Sequence, residues 1–320
     1  MTAYYDPIEY EVKEEDSGML LKTVLQRRLG VSRKLLSKIK LTEQGIMLNG
    51  ERVYISVKVK HGDQIAIRME QEESDDILPE PIPFEILYED DALLVVNKEP
   101  GIIVHPTHGH YTGTLANGVV HYWKERGERF RFRPIHRLDQ ETSGVLAIAK
   151  NAYVHQHISE QLIAGQVTKR YKALVHGAPS LGEGTIDGPI DRDPDEPHRR
   201  IVTPEGYPAL TFYTIVERYS AASLVDIRLG TGRTHQIRVH MTSVGCPLIG
   251  DKLYTYPAGE ELTEDKRENV DQLNLLIGRQ ALHAAELGLR HPLTGQDMIF
   301  EAPLPEDMNR LRDYLLTDYR

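Results

Sequence analysis

HRLDQETSG, residues 136–144, runs directly into VLAIA at 145–149. The second half is an apolar run of strand length, and a short run apolar throughout reads as a strand buried on both faces. The first half is a polar turn holding one short acid, Asp139, followed by Thr142, Ser143 and Gly144. A carboxylate in a loop fixed against a rigid strand is well placed for chemistry. An isolated aspartate in a turn is also a common turn-former. The rest of the chain has to decide between the two.

The chain has 320 residues and a formal net charge of −10, which at first argues against nucleic acid. The charge is unevenly spread. Between positions 19 and 70 there are eleven basic residues, Arg27, Arg28, Arg33, Lys34 and Lys38 among them, against four acidic ones. Residues 71–91 hold no Lys or Arg at all. Phosphate responds to charge within a Debye length of about 8–10 Å, so one basic module in an acidic chain is a candidate RNA contact. No apolar run reaches the roughly 18 residues of a membrane helix, and the acidic start has no signal-peptide core. With Cys246 as the only cysteine, an internal disulfide or thiolate metal site is excluded. A cytoplasmic monomer, without membrane association, is expected.

The pattern divides the chain into a tail (1–15), a small basic unit (16–70), an acidic, proline-containing linker (71–84) and an α+β domain (85–320). In the basic unit, Ser17 is expected to cap a helix bearing Leu20, Leu21, Val24, Leu25 and Leu29, ended by Gly30. Ser32 is expected to cap a second, with Leu35, Leu36 and Ile39 on one face. A hairpin-rich segment follows, with turns at Asn49-Gly50 and Gly62-Asp63. Two basic helices and a small sheet resemble the RNA-binding domain first named for ribosomal small-subunit protein four.

In the larger domain, strands are predicted at 93–97, 144–149, 170–176, 210–217 and 223–229. Helices are predicted at 152–164, capped by Asn151, at 235–244, capped by Thr234 and stopped by Gly245, and from about Pro305. The insert at 255–280 has little periodicity and reads as a mobile loop with a short helix.

Four segments carry candidate chemistry: NKEPGIIVHP (97–106), HRLDQETSG, KRYKA (169–173) with Tyr171, and LGTGRTHQIRVHM (229–241) with Arg233 and Arg238. Each is weak alone. Together, in this order, and with RQALHAAELGLRHPLTG at 279–295, they resemble the RluA family of pseudouridine synthases over nearly the whole chain. The resemblance implies a catalytic domain with a mixed, mainly antiparallel sheet flanked by helices and loops, beside a small α/β RNA-binding domain. It implies conversion of uridine in structured RNA to pseudouridine by an isomerase that needs neither cofactor nor metal. The partner would be ribosomal RNA, of the large subunit by analogy, with transfer RNA left open.

By the same resemblance Asp139 is the nucleophile, and whether it attacks base or ribose stays open. Arg238 would hold it ionised and aimed. Tyr171 would stack on the extracted uracil, its hydroxyl available for proton removal. Arg137 would fill the space the flipped base leaves, Arg233 would contact phosphate, and His136 and Thr142 would orient the turn. His105, His108 and His110 lack nearby acids, and His235 and His240 are spaced off a common helical face, so no metal site is expected. Two other classes fit less well. A non-catalytic RNA-binding assembly factor has no use for a nucleophile, and a glycosidase wants two carboxylates where the motifs offer one acid and one arginine.

Overall fold

The structure, a computed structural model, describes residues 3–256 and 262–317. Its N-terminal part comprises Ile8–Glu11 (β1), Leu21–Arg27 (α1), Arg33–Ile39 (α2), Ile46–Leu48 (β2), Glu51–Arg52 (β3) and Gln64–Ile67 (β4). The larger part begins with Glu85–Glu89 (β5), Leu93–Lys98 (β6), Leu115–Glu125 (α3), Ser143–Ala149 (β7), Ala152–Ile163 (α4) and Thr168–His176 (β8). It continues with Glu183–Asp187 (β9), Ile190–Arg192 (β10), Arg200–Val202 (β11), Leu210–Arg218 (β12) and Ala222–Leu229 (β13). Gln236–Ser243 (α5), Glu264–Ile277 (α6), Leu282–Arg290 (β14), Asp297–Glu301 (β15) and Glu306–Thr317 (α7) complete it.

The fold is α+β. A four-stranded antiparallel sheet in the order β1-β4-β2-β3 carries the N-terminal part, and a nine-stranded sheet in the order β5-β6-β7-β14-β8-β13-β12-β9, with β15 on β14, carries the rest. Within the large sheet only β7 and β14 run parallel. The stretch 143–149 is an interior strand of that sheet, between β6 and β14, and is buried at every position. Alternation sorts its side chains: Val145 and Ala147 join Leu93 and Val95 on one face, while Leu146 and Ile148 join Leu94 and Val96 on the other. Gly144 is required where β7 meets β14. It has φ of +113°, and a Cβ there would lie 2.2 Å from the Ala284 carbonyl oxygen.

Several expectations need correction. The segment expected as a tail contains β1, whose Ile8 and Tyr10 alternate with glutamates and whose four residues pair with β4. Ser17 does not cap α1; that helix starts at Leu21 without a side-chain cap. Ser32 does cap α2, accepting from the Leu35 N–H at 3.1 Å. The expected linker is a packed strap: Ile77 is buried, Ser74 Oγ accepts from the Phe132 N–H, and Glu72 pairs with Lys38 and Arg133.

The helix expected within the insert is α6, which is not short: it runs 14 residues, capped by Thr263 and ended by Gly278. Only Leu273 of that helix is buried, so it has almost no apolar face for a periodicity search to find. Residues 257–261 of the insert lie outside the described residues.

The basic unit packs on the sheet face opposite Leu146 and Ile148, sharing a core with α4. Its Leu29–Ser32 turn is bound to α4. The Tyr153 hydroxyl donates to the Leu29 carbonyl at 2.8 Å, and Gln156 donates to the Gly30 carbonyl at 2.7 Å and accepts from the Ser32 N–H at 3.0 Å. Among the described residues no helix is long and apolar enough to cross a membrane.

Candidate active site

Asp139 sits at the tip of the loop between the Pro134–Ile135 bridge to β7 and β7 itself. The Thr142 N–H donates to the Asp139 carbonyl at 3.0 Å, which closes the turn. Two buried cations hold the next two carbonyls. Lys98, at the end of β6, donates to the Gln140 carbonyl at 2.9 Å and to those of Glu99 and Ile102 at 2.8 and 2.9 Å. Arg279 donates to the Glu141 carbonyl at 2.9 Å while forming a bidentate pair with Asp307 of α7. Burial lowers the Lys98 pKa to about 7, yet its three acceptors are served fully only by the ammonium form. Thr142 is buried, its hydroxyl accepting from Gln280 at 3.4 Å.

The second half of the site comes from α5. Its start is set by Gln236, not by Thr234, which is exposed and caps nothing. The Gln236 side-chain oxygen accepts from the Thr231 hydroxyl and the Arg233 N–H, while its amide donates to the Leu210 carbonyl and the Thr211 hydroxyl. One residue earlier His235 is left-handed, at φ 56°. This fold-back aims Arg238 into the cleft. Its Nη1 lies 3.2 Å from Asp139 Oδ2, and Nε and Nη2 bind the two oxygens of Asp251 at 2.6 and 2.8 Å. Burial opposes the Arg238 charge, but the bonds to Asp251, and then Asp139, keep its pKa above the ordinary arginine value.

Tyr171 lies on β8 beside these groups, and one cleft is lined by Arg137, Asp139, Thr142, Tyr171, Arg233 and Arg238 among others. Burial, and then the charge of Asp139, push the Tyr171 phenol above its ordinary value. The phenol is therefore neutral at neutral pH, and a preformed phenolate base is not what this site offers. Arg137 is exposed at the rim with no ion-pair or hydrogen-bond partner among the described residues. Arg233 is also exposed, its Nε donating to the Pro208 carbonyl and its guanidinium lying 5.6 Å from the Tyr207 ring centroid.

His136 does not orient the turn by hydrogen bonding, as the sequence suggested. Both of its ring nitrogens are buried without a partner among the described residues. Burial, and then nearby Lys169, lower its pKa to about 4, so the ring is neutral. Lys98 and Arg279 do the orienting instead. Both were missed, although each stands in a segment already singled out. Asp251 was missed too, the only signal being a Gly-Asp turn thirteen positions after Arg238.

The basic unit is divided in the same way. Arg28 pairs with buried Asp16 at 2.8 Å and with Glu15 at 2.7 Å, and Lys38 pairs with Glu72. Both cations are exposed but have acid partners within the fold. Arg27, Arg33 and Lys34 are exposed and have no acid partner among the described residues. No group of three or more His, Cys, Asp or Glu side chains among the described residues is placed to hold a metal ion.

A fold of this kind recurs in solved structures. The chain superposes on human RNA pseudouridylate synthase domain containing 4 with a TM-score of 0.58 and 23% identity, covering 72% of this chain and 93% of that one. Residues 92–243 match the family model described as RNA pseudouridylate synthase. This chain belongs to the RNA pseudouridylate synthase family. It is 40% identical over 284 residues to the uncharacterized RNA pseudouridine synthase YjbO of Bacillus subtilis (strain 168), covering 88% of this chain and 95% of that protein. It is 37% identical over 288 residues to the ribosomal large subunit pseudouridine synthase D of Escherichia coli O157:H7, covering 88% and 87%. Family members are isomerases acting on RNA, and so is this chain.

Proposed function

We propose that this enzyme isomerises uridines of large-subunit ribosomal RNA in the cytoplasm, with Asp139 as the attacking carboxylate. The observation that carries the reading is the Arg238–Asp139 contact of 3.2 Å in a cleft that also holds Tyr171. Arg238 is itself anchored on Asp251, so it holds Asp139 in place without being drawn into solvent. A single reactive carboxylate beside an arginine suits an isomerisation better than a glycosidase, which needs a second acid at the bond.

The target uridine has to leave its stack, at a cost of a few kcal/mol (about). Arg137, unpaired at the rim, is suited to fill the space left behind. The Tyr171 ring offers a flat, buried face for the extracted base. Arg233 and the unpaired Arg27, Arg33 and Lys34 supply positive charge for phosphates. Because the basic unit is bound to α4 on the far face of the sheet, the RNA it grips must be large enough to reach around to the cleft, which favours ribosomal over transfer RNA.

The relative named for the large ribosomal subunit supports the same substrate class. The test is to map pseudouridines in RNA from cells lacking this protein and from cells carrying Asp139→Asn in its place. The reading expects the same large-subunit sites to be lost in both. Loss confined to transfer RNA overturns the substrate, and loss in the deletion alone overturns Asp139.

A further inference from the structure

His235 is one of two described non-glycine residues with positive φ, and it stands beside the reacting carboxylate. A left-handed backbone at such a residue costs of order 1 kcal/mol and persists where the surroundings enforce it. Here Gln236 enforces it, and the result is to turn the imidazole into the cleft, where it lines the wall next to Asp139. Its Nδ1 lies 2.8 Å from the Tyr254 hydroxyl. That hydroxyl already accepts from the Arg200 N–H at 2.8 Å, and Tyr254 is only 2% exposed. Among the described residues, the one acceptor placed for its proton is Nδ1. An imidazole accepting at Nδ1 carries its own proton on Nε2. That nitrogen faces Asp139 Oδ2 at 3.9 Å, the same oxygen that Arg238 approaches at 3.2 Å. Asp139 Oδ1 has no protein partner among the described residues.

We infer that His235 is a positioning residue: its Nε2–H, set by Tyr254, joins Arg238 in holding Oδ2 of Asp139, so that Oδ1 is the oxygen presented to substrate. The inference rests on the reading of Asp139 as the attacking group. A separation of 3.9 Å is longer than a hydrogen bond, and contacts of this kind shorten when substrate fills a site. The charged groups facing the ring are Asp139, Arg238, Asp251 and Arg200, with Tyr254 against its edge. Burial lowers the pKa of His235, which keeps the ring a neutral donor. A protonated ring would instead add a second cation against the carboxylate and weaken it as a nucleophile.

The test uses the full-length enzyme and tritium release from a large-subunit ribosomal RNA transcript made with 5-tritiated uridine. Asparagine tolerates the left-handed backbone but is too short to reach Asp139, whereas glutamine can place an amide N–H near the position of Nε2. His235→Asn is expected to lower kcat about ten- to a hundredfold with KM within twofold, and His235→Gln to recover most of that loss. Tyr254→Phe is expected to cost about tenfold in the wild-type background and less than twofold beside His235→Asn, since both changes remove one device. Asp139→Asn is measured in parallel. Turnover in it overturns the reading of Asp139, and this inference with it. An inactive Asp139→Asn alongside unchanged kcat in His235→Asn, additive losses with Tyr254→Phe, or no recovery with glutamine overturns the role of His235 alone.

Discussion

Asp251→Asn probes whether the site depends on an anchored arginine. Asp251 is fully buried as a side chain, and among the described residues its Oδ2 accepts only from Arg238 Nε, at 2.6 Å. Its Oδ1 accepts from Arg238 Nη2 at 2.8 Å and from the Leu253 and Tyr254 N–H groups at 2.9 and 3.0 Å. Asparagine can keep the three bonds to Oδ1 but turns an N–H toward Arg238 Nε. One charge-assisted bond, worth about 1.5–3 kcal/mol, is lost outright. The buried guanidinium is left with Asp139 as its one carboxylate, and breaking a buried pair typically costs about 3–5 kcal/mol in all. Arg238 is then free to close on Asp139 and draw it out of line. If about 3 kcal/mol of that appears in the transition state, kcat falls roughly a hundredfold. Urea unfolding and tritium release on the same preparation measure the two effects, with filter binding showing that RNA affinity holds. Stability within about 1 kcal/mol of wild type together with kcat within twofold would refute the reasoning.

Three further outcomes follow from the geometry. Replacing Arg27, Arg33 and Lys34 by glutamine should lower the slope of log affinity against log salt by about 2–3, whereas Arg28→Gln and Lys38→Gln should weaken folding and change that slope by less than about one; equal slopes in the two sets would remove the distinction between free and paired cations. Gly144→Ala should destabilise by more than about 3 kcal/mol or prevent soluble expression, because its Cβ has backbone of β14 in its way. The Tyr10 hydrogen bond and Arg28 hold the Asp16 carboxyl below its ordinary pKa. A depressed carboxylate contributes stability above its unfolded pKa of about 3.9 and loses it as pH falls through the folded value, so the advantage of wild type over Asp16→Asn should be full at neutral pH and shrink below about pH 4 in urea titrations.

Much of the fold was legible because its signals are local. The run 145–149 is apolar throughout, as a strand buried on two faces must be, and Asn151 announces α4 by capping chemistry alone. What was illegible depends on partners distant in sequence. β1 alternates acid and apolar residues over four positions, and becomes a strand only because β4 lies beside it. Arg28 and Lys38 look like their unpaired neighbours until Asp16 and Glu72 are placed in space. At the site, Asp139, Tyr171 and Arg238 stood in recognisable segments. Lys98 and Arg279 stood in such segments too, but they and Asp251 act through backbone carbonyls and a buried guanidinium, contacts of which residue type alone carries no trace. His136 shows the converse: its position beside the loop suggested a hydrogen bond that neither ring nitrogen makes.

The central claim is that one carboxylate, held by Arg238, performs the reaction. Asp139→Asn replaces one carboxylate oxygen by an NH2 group and leaves Arg238 bound to Asp251. Tritium release from 5-tritiated large-subunit ribosomal RNA should then fall to the level without enzyme, with filter-binding affinity within twofold of wild type. Release at a tenth of the wild-type rate or more would contradict the account.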